Sequence, residues 1–180
     1  FTDQGQTGLH DPTGRVFRWE ETSGRLDCLI SNGPSPNGLA VSADGRFLFV
    51  GMTRANAVWR VPLQGDGTVS KAGMFQSFYG TSGPDGLTLG AGGKLVVAHA
   101  SLGGAFVCNP RGEVTHMIRA PLGRTVTNAA FRPGTRELVM TESETGTLLT
   151  ADMPFAGADL YSHSRWRAWQ GGIRLKQQAQ

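Results

Sequence analysis

Pro36-Asn37-Gly38-Leu39-Ala40-Val41, then Ala43-Asp44-Gly45-Arg46, then Phe47-Leu48-Phe49-Val50, is the stretch from which the chain can be read. It holds two turn signals separated by one short apolar segment. The pattern returns as Pro84-Asp85-Gly86-Leu87-Thr88-Leu89, Ala91-Gly92-Gly93-Lys94 and residues 95–98. It returns again as Thr127-Asn128-Ala129-Ala130-Phe131, Pro133-Gly134-Thr135-Arg136 and residues 137–140. Matched this way, Asn37, Asp85 and Asn128 take one place in three units. Each unit reads as a strand, a Gly-bearing turn and a second strand, and a polar loop then leads to a third strand at 57–61, 105–108 or 147–150. A fourth, outer strand is expected at Ser77-Phe78 and at 114–118. Four short strands recurring every ~40–50 residues mark the blade of a β-propeller. No segment carries an apolar stripe of helical period, so helices should be few.

Working outward, Phe1-Thr2-Asp3 matches Val50-Gly51-Met52, the end of a second strand. The loop 4–12 then leads to strands near 15–19 and 26–30. The expectation is an all-β chain whose residues 1–160 form about three and a half blades of a partial propeller, beginning in mid-blade and completed either by N-terminal blades that precede it or by another chain. Residues 161–180 read as a final strand, with packing at Trp166 and Trp169, and a basic tail.

Composition agrees. Glycine is 26 of 180 residues, about twice the typical ~7%, and charged residues are only 17%. So apolar a chain is not disordered, and no apolar run reaches the ~18 residues of a membrane span. Of the formal charge of +3, Arg165, Arg167, Arg174 and Lys176 lie in a terminal stretch without an acid. The remainder shows no basic stripe of the kind that binds nucleic acid. Cys28 and Cys108 sit in strand-like contexts without metal-ligand spacing and are expected to be buried thiols. Phe1-Thr2-Asp3 carries no targeting pattern, and a cytoplasmic setting is the default expectation. No nucleophile elbow, zinc-protease helix or P-loop is present.

The turns decide where chemistry can sit. Asn-Gly and Asp-Gly are common hairpin turns, but a second turn follows seven residues later in each unit. That later turn joins the first two strands, so Asn37 and Asp85 stand where the chain enters an innermost strand. In a propeller this entry lies at the mouth of the central channel. The loops 4–12, 52–56, 99–104 and 141–146 open on the same face, which makes His99 and Glu142 candidate rim contacts. A carboxylate at a channel mouth costs several kcal/mol unless its charge is met. A cation shared with the Asn37 oxygen would meet it, and so would capping of local backbone N–H groups. Two oxygens do not complete a calcium shell of roughly 6–8.

Ser35-Pro36-Asn37-Gly38-Leu39, followed one blade later by Gly83-Pro84-Asp85-Gly86-Leu87 and Gly93-Lys94-Leu95-Val96-Val97-Ala98, resembles the gluconolactonase/regucalcin family over roughly residues 1–154. The resemblance implies a six-bladed propeller with a divalent metal in its channel, calcium first and zinc, manganese or magnesium as alternatives, and hydrolysis of a small-molecule lactone or related ester. It makes Asn37 and Asp85 metal ligands and Asp85 the general base as well. It also places the family's Glu ligand upstream of Phe1. Two other readings stay open: a non-catalytic propeller that binds a partner, and an inactive fragment.

Overall fold

In the computed structural model the described residues are 1–160 and His163, so the strand and basic tail expected at 161–180 lie outside them. Fourteen strands and two single 3-10 turns (Thr53–Ala55 and Ala91–Gly93) are the named elements among these residues. β1 (Thr2–Asp3), β2 (Gly14–Glu20) and β3 (Arg25–Gly33) form the first sheet. β4 (Pro36–Val41), β5 (Phe47–Met52), β6 (Ala57–Pro62) and β7 (Gly73–Ser77) form the second, and β8 (Pro84–Gly90), β9 (Lys94–His99), β10 (Gly104–Cys108) and β11 (Val114–Arg119) the third. β12 (Val126–Phe131), β13 (Glu137–Glu142) and β14 (Thr147–Asp152) form the fourth.

Every pairing is antiparallel between strands consecutive in sequence, so each sheet is a meander and together they are successive blades of a partial propeller. The outer strand expected at Ser77-Phe78 instead ends there: β7 occupies Gly73–Ser77. Phe78 packs inward, on the rings of His99 and Phe106.

The blades cohere because their middle strands are apolar on both faces. In a strand successive side chains point to opposite faces. Leu95 and Val97 of β9 therefore pack with Phe49, Val58, Leu87 and Leu89 between the second and third blades. Val96 and Ala98 pack with Ala129, Phe131, Leu138 and Met140 between the third and fourth. β5 divides likewise, with Leu48, Val50 and Met52 meeting Val16 and Ile30 of the first blade. Each fully buried valine or leucine contributes about 1.5–3 kcal/mol, so three such seams hold the blades in register.

Cys108 lies in one of these seams, where burial pushes its thiol up to about 12. Cys28 departs from expectation. It is exposed on β3, the outer strand of its sheet, and its thiol donates to the Ile30 carbonyl at 3.2 Å.

Candidate functional site

The innermost strands β4, β8 and β12 run side by side, and each contains a one-residue β-bulge at its entry end. Pairing jumps from Pro36↔Met52 to Leu39↔Val50 in β4, from Pro84↔His99 to Leu87↔Val97 in β8, and from Val126↔Glu142 to Asn128↔Thr141 in β12. A bulge bends its strand and re-aims the extra residue's side chain. Asn37 and Asp85 sit in the first two bulges.

The glycine after each serves a close approach. A side chain at Gly38 would overlap the Asp85 carbonyl, and one at Gly86 would overlap the Asn128 side-chain oxygen. Glycine at these two places lets the next inner strand close in. The hairpin turns proper are the later ones, where Gly45 and Gly92 each take φ +71°.

The third unit needs a correction. Counting back from Phe47 and Glu137, and following the pairing, Thr127 occupies the slot of Asn37 and Asp85, while Asn128 occupies that of Gly38 and Gly86. Matching one asparagine to another had slipped the alignment by one residue. The third blade thus presents a hydroxyl there, with Thr127 Oγ1 2.9 Å from Thr141 Oγ1.

Asn37 and Asp85 are brought together. Asp85 is half-buried, and burial raises its carboxyl above the ordinary carboxylate range. A hydrogen bond from the Asn37 side chain offsets part of that rise. Among the described residues no Lys, Arg or His forms an ion pair with Asp85. Neither side chain caps a local backbone N–H among them; the Asn37 amide instead donates to Thr53 Oγ1 at 3.4 Å. No cluster of three or more His, Cys, Asp or Glu side chains occurs among the described residues. The pair fits part of a hard-cation shell: one neutral oxygen and one carboxylate, desolvated and without a protein counter-charge.

His99 and Glu142 end the second strands of their blades, in the slot that Met52 fills in the second blade. All three are fully buried. His99 Nε2 lies 2.9 Å from Asn56 Oδ1, and Nδ1 accepts from the Ser101 N–H at 3.4 Å. Nδ1 is therefore the acceptor and Nε2 carries the proton. With Phe78 and Phe106 edge-on against the ring, burial lowers its pKa to about 4, and it is neutral at pH 7.

Glu142 accepts the backbone N–H groups of Thr125 (3.0 Å), Glu144 (3.0 Å) and Thr145 (2.7 Å), and the Thr145 hydroxyl at 2.5 Å. The Thr145 hydroxyl is the largest cause of a pKa held down to about 2; the three N–H groups add to it and outweigh burial. Both side chains tie loops together: His99 joins its own loop to Asn56 of the second blade, and Glu142 joins Thr125, ahead of β12, to Glu144 and Thr145. The Met52 slot was the sequence signal that this position is interior. Thr53, which touches the Asn37 amide, carried no signal in the repeat.

Comparison with known proteins gives the family and the fold. Lactonase drp35 of Staphylococcus epidermidis is 31% identical over 160 residues, covering 81% of this chain and 49% of the relative. A solved structure assigned as a gluconolactonase matches with 29% identity and a TM-score of 0.71, over 87% of this chain and 50% of that one. A calcium-binding regucalcin from Agrobacterium tumefaciens shares the fold at 22% identity and a TM-score of 0.71, over 84% and 57%. The chain spans about half the length of the curated relatives it matches. The family model described as the SMP-30/Gluconolactonase/LRE-like region matches residues 1–144, which include Asn37, Asp85 and the bulges of all three inner strands. The chain belongs to the SMP-30/gluconolactonase/LRE-like family.

Proposed function

We propose that this chain supplies the Asn37 and Asp85 ligands of a divalent-cation site in a lactone-hydrolysing propeller, with calcium the leading cation and Asp85 also the proton acceptor. The observation that carries the reading is a half-buried carboxylate beside an asparagine on adjacent inner strands, with no protein cation paired to it among the described residues. The lactonase relative supports the substrate class, and the regucalcin of like fold is described as calcium-binding.

A cation bound there supplies the Lewis acidity that polarises a lactone carbonyl. Asn37 offers an oxygen without cancelling positive charge. Asp85, made more basic by burial, accepts a proton as water adds to the carbonyl carbon. The proton passes to the ring oxygen as the ring C–O bond breaks, leaving the open hydroxy acid.

The test is hydrolysis of gluconolactone by the full-length protein. Chelation is expected to abolish activity and added calcium to restore it, with Asp85→Ala inactive under both conditions. Hydrolysis by Asp85→Ala at the unaltered rate contradicts the assignment.

A further inference from the structure

We propose that Thr53 is a positioning residue that fixes the orientation of the Asn37 amide toward the cation; this rests on the cation reading above. Thr53 stands at the start of the 3-10 turn that follows β5, on the mouth face. Its hydroxyl lies 2.8 Å from the Pro84 carbonyl, which can only accept, so the single hydroxyl proton is committed there. The oxygen that remains can only accept, and it faces Asn37 Nδ2 at 3.4 Å, the nitrogen whose other N–H is given to the Asp85 carboxylate. The relay therefore runs one way, from the Asn37 amide N–H to Thr53 Oγ1, and from its proton to the Pro84 carbonyl. Turning the amide over would set Asn37 Oδ1 against the Thr53 lone pair, acceptor against acceptor. Oδ1 is thus kept away from Thr53, and among the described residues no donor is bonded to it.

The same hydroxyl binds both ligand positions. It holds the Asn37 side chain in the second blade, and it holds the backbone of Pro84, the residue before Asp85, in the third. Thr53 is itself clamped. Its N–H donates to the Ser35 carbonyl at 2.9 Å, and its carbonyl accepts from the Asn56 N–H at 3.1 Å. That carbonyl also packs so tightly on Gly83 that a side chain there would overlap it. Partners of this kind, which orient a ligand without touching the metal, typically govern affinity by 10–100-fold.

The test compares Thr53→Val, which keeps the shape and loses the hydroxyl, with Thr53→Ser, which keeps the hydroxyl, in the full-length protein. Thr53→Ala is measured alongside, so that a folded hydroxyl-free variant is in hand should valine not be tolerated. Calcium affinity is read by titration calorimetry on chelator-treated protein. The Asn37 side-chain amide signal is read by NMR without metal. The expected result is about tenfold weaker calcium binding in Thr53→Val and Thr53→Ala, with near-wild-type affinity in Thr53→Ser. The metal-free amide signal should split or broaden only in the two hydroxyl-free variants. Wild-type affinity together with an unaltered amide signal in those variants overturns the role of Thr53 and leaves the cation reading standing. Failure of the wild-type protein to bind calcium overturns the cation reading, and this proposal with it.

Discussion

Four polar side chains look out on the mouth in the sequence, and the structure divides them into two pairs of opposite character. Asp85 and Asn37, at the bulged entries of the inner strands, are half-buried, and the carboxylate has no counter-charge among the described residues. Glu142 and His99, at the ends of the second strands, are fully buried and have their hydrogen bonds met by loop residues, Thr125, Glu144 and Thr145 for Glu142 and Asn56 and Ser101 for His99. The pKa directions carry the contrast. The Asp85 carboxyl is raised by burial, whereas that of Glu142 is held down to about 2 by the hydroxyl and N–H groups around it. A polar group whose hydrogen bonds are met inside the fold is structural, and one left short is where a ligand can be bound.

The largest effect that would sharpen this division comes from Asp85→Asn. If Asp85 is the proton acceptor proposed above, its loss should lower kcat/KM for lactone by at least about a hundredfold. The same change should raise the thermal stability of the metal-free protein at pH 7. The sign follows from the raised native pKa: the folded state holds its proton to higher pH than the unfolded value of 3.8, so stability falls as pH rises through that interval, and an amide removes the fall. A variant that loses activity and also melts earlier would break the distinction.

Gly38→Ala comes next. Its methyl would overlap the Asp85 carbonyl of the neighbouring strand, and denaturant unfolding should show a loss of about 1–3 kcal/mol. On the proposed reading activity should fall as well, because the strands that carry Asn37 and Asp85 are forced apart.

His99→Gln keeps an N–H donor for Asn56 but cannot titrate. In the wild-type protein the native pKa of about 4 lies below the ordinary 6.5. Stability is therefore full well above pH 6.5 and declines by about 3 kcal/mol as pH falls to 4. Chemical denaturation across that range should be flatter in the variant, with lactone hydrolysis at pH 7 unchanged.

Glu142→Gln should give the most restricted change. Stability that the wild-type protein loses as pH falls from 4.5 through about 2 no longer titrates at this position. Melting at pH 7 should be modestly lower and kcat for lactone unaltered. Loss of lactone turnover in either the His99 or the Glu142 variant would put that residue back at the substrate.

The blades and the Asn37–Asp85 pair were legible in the sequence because both rest on local spacing. Two turn signals seven residues apart leave room for one short strand, and this places Asn37 and Asp85 on inner strands. What was not legible depends on neighbours. Asn128 was matched to Asp85 because asparagine resembles aspartate, but the bulge in β12 gives the slot to Thr127. Counting back from Arg46 and Arg136 would have shown it. His99 and Glu142 read as rim residues because polarity suggests exposure, yet the apolar Met52 in the same slot marks that position as interior. Cys28 was expected to be buried from its apolar surroundings, but it lies on the outer strand of its sheet and is exposed.

The most direct measurement of the central claim is anomalous X-ray scattering from crystals of the full-length protein soaked with manganese, a stand-in for calcium at oxygen ligands. The account predicts a peak bonded to both Asn37 Oδ1 and an Asp85 carboxylate oxygen, at about 2.1–2.4 Å. A peak bonded to neither side chain, or none in the channel at saturating metal, would contradict it.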